Sequence, residues 1–377
     1  MALAIILILL IIGSLIFNFV NPWQATPIAS NWGSIDDTIF ITAIITGIFF
    51  VGITLFVAYT LIKYRHKEDK PEEENEAGVH QAAYEPDNKK LEWWLTGITT
   101  VGICALLAPG LIVYNDFVHV PKQAGLIEVV AKQWMWSFRL PGEDNILGKT
   151  SVKHINSDNS FGIDPDDPNG QDDILIMSNE IHIQLDQPLK FLLRSLDVLH
   201  NFYVPHFRAK MDMVPGQLSY FWLTPIETGE YEILCAEYCG VAHYNMGGRV
   251  FVDNSQDYQQ WLSNQPTFSQ QYQKSLATDL ADGIEEQGRQ LAENSGCIAC
   301  HSIDGSKSLG PGWKNMFGKT EKLTDGSTIT VDNAYFDESV LNPSAKIVEG
   351  YPPVMAPYQF SGEQLEALKA YIKSIGQ

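Results

Sequence analysis

Only five of the 377 residues are cysteine, and basic side chains are scarce, with 25 Lys and Arg against 45 Asp and Glu. The formal net charge of −20 argues against nucleic acid as a partner, because a phosphate backbone demands a basic surface. An acidic surface suits a basic partner protein, and it also serves solubility alone. No phosphate-cradling loop, Ser/His/Asp triad or pair of catalytic carboxylates is evident, so the chain shows no machinery for bond-making chemistry. Charge is absent from two long stretches, residues 39–62 and 95–114. At about 1.5 Å per residue in a helix, each is long enough to cross a hydrocarbon core of roughly 30 Å. Between them Lys63, Arg65, Lys67, Lys70, Lys89 and Lys90 mark a cytoplasmic loop, since the orientation rule counts Lys and Arg and ignores the neighbouring Glu72, Glu73 and Glu74. Everything after residue 115 is then expected outside. A third apolar segment, residues 2–20, has no basic n-region and no A-x-A cleavage site. It reads as a signal peptide or as an extra transmembrane span, with retention preferred.

The few cysteines are concentrated. Residues 235–246 read Cys235-Ala-Glu237-Tyr-Cys239-Gly-Val-Ala-His243-Tyr-Asn-Met246, which puts two thiols, an imidazole and a thioether in one loop. Soft sulfur with imidazole suits copper or zinc, and a weak Met ligand points to copper in electron transfer. A mononuclear blue-copper site needs one cysteine, whereas two cysteines four apart can bridge a pair of copper ions. A pair needs a second histidine, and His200 in Asp197-Val-Leu-His200 is the candidate. The plainer alternative is a disulfide between Cys235 and Cys239 beside an unrelated His and Met. Further on, Cys297-Ile-Ala-Cys300-His301 has the pattern of covalent c-type haem attachment, with two thioethers and an adjacent axial imidazole. Downstream of it, Met316 and Met355 are the candidates for a sixth iron ligand. Cys104, in an apolar run, reads as a small buried hydrophobe, which leaves nothing for a structural disulfide.

Asp197-Val-Leu-His200 followed by C-x-E-x-C-x-x-x-H-x-x-M resembles the binuclear copper A site of cytochrome c oxidase subunit II, and the likeness extends over nearly all the chain after about residue 35. The resemblance implies that Cys235 and Cys239 bridge two coppers, that His200 and His243 cap one each, and that Met246 ligates weakly. Glu237 would bind through its backbone carbonyl, with its carboxylate facing a magnesium ion at the border with subunit I. The run Lys132-Gln-Trp134-Met-Trp136-Ser-Phe138 is similar to the family's aromatic segment, whose first tryptophan receives electrons from soluble cytochrome c; Trp134 takes that place, ordinary strand packing being the other reading. Glu92 matches a glutamate at the mouth of a proton pathway into subunit I, or simply marks the membrane interface. Asp197 would orient its neighbouring copper ligand or meet subunit I. The C-terminal stretch is similar to a class I cytochrome c, in which first and last helices cross. There Ile284, Gly288 and Leu291 belong to the first helix, and Leu365, Leu368, Tyr371, Ile372 and Ile375 line the last. By the same likeness the Pro311 carbonyl fixes His301, and Met355 is the sixth ligand in preference to Met316, although Ala356 stands where the family often has proline.

The expected fold is therefore a multidomain membrane protein. Residues 1–20 are a signal peptide or span, and 36–115 a transmembrane α-helical hairpin. Residues 121–264 form a cupredoxin-like Greek-key β-sandwich carrying copper A, 265–283 a polar linker, and 284–377 an all-α class I cytochrome c domain. Strands are expected at 127–138, 180–185, 190–194 and 229–234. The Asp-rich insertion 142–173 reads as a solvated loop or a calcium site. The resemblance implies subunit II of a caa-type haem–copper oxidase in the bacterial inner membrane, its two outer domains periplasmic. Its partners would be subunit I and other oxidase subunits, the lipid bilayer, and a donor that is either a soluble cytochrome c or a quinol-oxidising complex. The alternative is a membrane-anchored copper A and haem c protein serving another terminal reductase. A nitrous oxide reductase would need a propeller for which no sequence remains, and a quinol oxidase subunit would lack the copper ligands.

Overall fold

The structure, a computed structural model, describes residues 2–20, 26–64, 87–156, 159–278 and 283–375. The chain divides into two compact units, residues 1–28 with 32–119, and residues 29–31 with 120–377.

The first unit is helical: α1 (Ala2–Val20), α2 (Gly33–Lys63) and α3 (Lys89–Val118), each long and apolar enough to cross a membrane. Most of the basic loop expected between the last two lies outside the described residues, while Lys63 and Lys89 stand at the helix ends. Helix α1 packs on α2, and α2 on α3. Large side chains such as Phe40 and Trp93 nevertheless stay exposed, and Ala58 is the only buried residue of α2. Helices this apolar all round need an apolar surrounding, not water. Their few polar groups turn inward on the backbone: the hydroxyls of Thr38, Thr42 and Thr46 donate to carbonyls one turn back, at 2.7–2.8 Å. Asn88 caps α3 by accepting from the Leu91 amide.

The second unit begins with a β-sandwich. Its strands are β1 (Gly125–Lys132), β2 (Met135–Leu140), β3 (Ile174–Ile176), β4 (Glu180–Gln184), β5 (Leu189–Ser195), β6 (His200–Val204), β7 (Ala209–Met213), β8 (Ser219–Leu223), β9 (Gly229–Cys235) and β10 (Gly247–Asp253). They form two five-stranded sheets, β3-β2-β1-β5-β8 and β4-β10-β9-β6-β7. β1 runs parallel to β5 and β10 parallel to β4, and the remaining pairs are antiparallel. Alternating residues fill the space between the sheets. Phe191 stacks on Phe221 at 5.0 Å between ring centres, and Trp136 meets Phe202 edge-on at 5.4 Å.

Three features differ from the sequence reading. Residues 127–138 are not one strand, because the chain reverses at Gln133 and Trp134 so that Lys132 pairs with Met135. Trp136 and Phe138 are buried in the core, while Trp134 sits in the turn. The Asp-rich insertion is not a solvated loop: Phe161, Ile163 and Asp173 are fully buried, and Asp173 holds the equally buried Arg139. Asp164 and Asp167 accept from the backbone amides of Asp166 and Lys149, and among the described residues no group of carboxylates converges there as a calcium site would require. Finally, part of the stretch expected as a plain linker is structured. After α4 (Ser255–Ser263), helix α5 (Phe268–Thr278) buries Phe268 against Val130, Phe161, Ile163 and Leu175.

The rest of the unit is built on α6 (Ile284–Asn294), the short hairpin β11 (Thr320–Lys322) and β12 (Thr328–Thr330), α7 (Asn333–Leu341) and α8 (Gly362–Ser374). α6 crosses α8 at Gly288, where a Cβ would lie 1.9 Å from the Ala367 carbonyl oxygen, so only glycine allows the backbones to touch. Leu291, Trp313, Phe336, Leu365, Leu368 and Ile372 make the core, and Ser361 starts α8 with a capping box.

Candidate metal centres

Three neighbouring strand ends bring the first centre together. β9 ends at Cys235, β10 starts after Met246, and β6 starts at His200. The neck of the intervening loop is closed by Cys235 N donating to Met246 O and by Ala236 N donating to Asn201 O. Every loop residue singled out in the sequence meets another. The Cys235 and Cys239 sulfurs are free and 3.7 Å apart. His200 Nδ1 lies 3.9 Å from the Cys235 sulfur and His243 Nδ1 3.5 Å from that of Cys239. Met246 Sδ is 3.7 Å from Cys239, and the Glu237 carbonyl accepts from Cys235 at 3.3 Å. His200, Cys235 and Cys239 are all buried.

Electrostatics prepare these groups for a cation. The hydrogen bond from Cys239 pulls the Cys235 thiol down to about 3, with His200 and two backbone groups assisting against burial. Asp197 accepts from His200 Nε2 at 2.8 Å, which leaves Nδ1 facing the sulfurs. Burial alone would lower His200, but its bonds to Asp197 and Cys235 outweigh that and raise it. The same carboxylate accepts from the Gln133 amide at 2.6 Å, so one group braces both a ligand candidate and the turn bearing Trp134. The turn reaches back to the loop: Gln133 Nε2 and Trp134 Nε1 both donate to the Cys239 carbonyl, at 2.8 and 3.2 Å. Gly240 (φ +118°) leaves room for them, since a Cβ there would meet Gln133 Nε2 at 2.9 Å.

The second centre is a cavity of about 390 Å³ in the helical part, lined by Cys297, Cys300, His301, Pro311, Met316 and Met355 among mainly apolar neighbours. His301 Nδ1 donates to Pro311 O at 2.8 Å, and the ring stacks on Trp313 at 5.2 Å. Burial lowers His301 against the raising effect of that bond, so the imidazole is neutral, the form that ligates metals. Gln133, Trp134 and Asp197 close the cavity from the sandwich side. The sequence reading missed the roles of Gln133 and Trp313 and the bracing of the turn by Asp197, because each acts on a partner outside its own local motif. Glu92 lies in the first turn of α3.

Comparison with known proteins gives two family matches: cytochrome c oxidase subunit II, periplasmic domain, over residues 126–252, and cytochrome c over residues 285–376. The alternative cytochrome c oxidase subunit 2 of Bradyrhizobium diazoefficiens is 52% identical over 269 residues, covering 71% of this chain and 94% of that one. The chain belongs to the cytochrome c oxidase subunit II family. Cytochrome c oxidase subunit 2 of Alkalihalophilus pseudofirmus, 25% identical, matches 86% of this subunit II and 83% of its own length. The solved periplasmic domain of subunit II of cytochrome oxidase from Bradyrhizobium japonicum aligns with 38% of the chain at 24% identity, with a TM-score of 0.29. Membership implies copper A in the periplasmic domain of this subunit II, and the cytochrome c match implies haem. The residues present fit both groups: the loop offers soft sulfur and imidazole donors in contact, and the cavity is apolar with two thiols and a neutral imidazole at its wall.

Proposed function

We propose that this subunit II receives electrons through its own cytochrome domain and hands them through its copper domain to subunit I of a haem–copper oxidase, where oxygen is reduced and protons are pumped. The observation that carries the reading is the position of Trp134, whose indole bonds the Cys239 carbonyl and lines the cavity of Cys297, Cys300 and His301. One aromatic ring thus spans the interval between the two donor sets. When bound, copper A and haem c supply one-electron redox chemistry. Copper A would be held by the Cys235 and Cys239 thiolates, the His200 and His243 imidazoles, the Met246 thioether and the Glu237 carbonyl. Haem c would be held by Cys297 and Cys300 through thioethers, by the His301 imidazole that Pro311 orients, and by Met355. The neutral His301 and the braced His200 need little rearrangement when charge changes, which keeps transfer fast.

Further assignments follow from the same reading. The Glu237 carboxylate takes a magnesium ion at the border with subunit I. Tyr238 and Tyr244 are exposed on the copper loop and supply an aromatic rim of the kind buried at protein interfaces. Glu92, in the first turn of α3, serves the mouth of a proton pathway. The helices anchor the chain in a bacterial inner membrane, and the donor is a soluble cytochrome c or a quinol-oxidising complex. Full-length protein produced with copper and haem supplied tests the reading: a near-infrared copper A band, haem retained on a denaturing gel and co-purifying subunit I are expected. Absence of both the band and the covalent haem would overturn it. Met355→Ala should abolish the low-spin His/Met spectrum, and an unchanged spectrum would reject Met355.

A further inference from the structure

The sandwich and the cytochrome domain touch at a small number of specific points, and these lie beside the two centres. Lys132, the last residue of β1, points its ammonium at the Asn294 carbonyl at the end of α6. That carbonyl belongs to the last turn of a helix, where unpaired oxygens and the negative end of the dipole favour a cation. Asn245, between His243 and Met246 on the copper loop, donates from Nδ2 to the Ala299 carbonyl at 3.2 Å, between Cys297 and Cys300. Between Asn294 and Ala299 in sequence, the Gly296 backbone passes close to the Met135 side chain. A Cβ on Gly296 would lie 3.3 Å from Met135 Sδ, and Gly296 sits at φ +75°, where glycine is favoured. Lys132 is mostly withdrawn from water, and burial lowers its pKa while Asp197 pulls it upward.

We infer that Lys132 and Asn245 are positioning residues that latch the cytochrome domain onto the copper domain, with Gln133 and Trp134 closed over the haem cavity. Neither ligates a metal, and each contributes one polar bond across the contact from opposite sides of the Gly296 approach. The latch explains why an ammonium is spent at the end of a core strand, where an apolar residue would pack at no desolvation cost. It also makes transfer between the centres a fixed-geometry event that does not wait for an encounter. Because one bond is charge-assisted and sheltered from solvent, docking holds as salt is raised, unlike the exposed charge pairs that steer separate redox partners.

The inference rests on the electron-transfer reading above, and the experiment separates the two. In the full-length, copper- and haem-loaded protein, the distance between the two paramagnetic centres is measured by pulsed electron paramagnetic resonance, and the rate of electron transfer between them after flash reduction, at low and high salt. Wild type should give one narrow distance and a salt-independent rate. Lys132→Met keeps the aliphatic stem and removes the donor; it should broaden the distance distribution and slow transfer about tenfold, as loss of one charge-assisted bond implies. Both optical signatures should stay intact. Lys132→Arg, which restores a cationic donor, should recover most of the rate. Asn245 is exposed, so Asn245→Ala leaves the core untouched and supplies an independent variant expected to move both readouts in the same direction. Variants that keep the wild-type distance and rate would overturn the latch and leave the electron-transfer reading standing. A wild type lacking either metal signature would sink that reading and the latch with it.

Discussion

In the copper domain the donor atoms already touch one another: two sulfurs 3.7 Å apart, with imidazoles and a thioether within 3.9 Å of one or other of them. In the cytochrome domain they surround a hollow of about 390 Å³ instead. The difference follows from the scaffolds. Adjacent strands of one sheet fix three chain ends within hydrogen-bonding distance, so the copper loop inherits its geometry from a sandwich that has its own aromatic core. Helices α6 and α8 cross at Gly288 and pack into a core, while the cavity beside them is walled mainly by loop residues and by α7, whose apolar side chains face the space a porphyrin fills. One centre is a property of the folded polypeptide. The other is part of what lets its domain fold.

The largest effect that would break this contrast comes from Cys297→Ser combined with Cys300→Ser, which prevents covalent haem attachment. Without haem the apolar lining of that cavity faces water, and each large side chain left uncovered forgoes about 1.5–3 kcal/mol against the ~5–15 kcal/mol that stabilises a whole domain. Calorimetry of the full-length protein should show the cytochrome transition lost and the copper-domain transition moved by no more than a few degrees. Two transitions at wild-type temperatures would mean that the helical domain does not depend on its haem.

The same contrast governs what could be read from the sequence. The copper loop was legible because four of its donors and the Glu237 carbonyl lie within twelve residues, and C-x-x-C-H is a local motif by nature. The presence of α2 and α3 was legible because uncharged runs mark them, although both helices extend beyond those runs. The reversal at Gln133 and Trp134 was not, since neither residue is a turn former and the run reads as continuous β-propensity. What holds that turn is distant: Asp197 on the Gln133 amide and the Cys239 carbonyl on both side chains. The insertion was misjudged for a related reason. Its Asp residues look solvated until Arg139, thirty-four positions before Asp173, is seen buried against that carboxylate.

Arg139→Met tests whether the rigidity of the copper domain belongs to the polypeptide. Arg139 bonds Glu128 at 3.1 Å and Asp173 at 2.9 Å, all three essentially out of water. Removing the guanidinium leaves two buried carboxylates, of which Glu128 keeps Arg194, and costs about 3–5 kcal/mol. The loss depends on pH with a definite sign. Burial pushes Asp173 up to about 6, with Arg139 pulling against it. A carboxyl raised above its unfolded value contributes stability fully present below that value and lost as pH rises through the folded one. Wild type should therefore lose about 1 kcal/mol between pH 5 and 7.5 from this group. Without Arg139 the decline should be steeper and extend to higher pH, as denaturant unfolding of the copper-domain transition at several pH values would reveal. A variant with a flat profile and wild-type stability would remove the network from the account.

The smallest expected effect sharpens the comparison most, because Asp197 belongs to both centres. Its Oδ1 accepts from His200 Nε2 and its Oδ2 from the Gln133 amide, and it lines the haem cavity. Asp197→Ala frees the His200 ring to rotate and leaves Nδ1 no longer held toward the sulfurs. Losing such a partner behind a histidine ligand weakens metal binding about 10–100-fold. Competition with a copper chelator measures that directly, while the haem spectrum should not change, since His301 is oriented by Pro311 and Trp313. The released turn gives a second readout: Trp134 loses one of its two anchors to the copper domain, so transfer between the centres should slow even in samples saturated with copper. Weakened copper binding with an unaltered transfer rate would confine Asp197 to its histidine. Both changes together would show that one carboxylate sets the geometry at each end of the path.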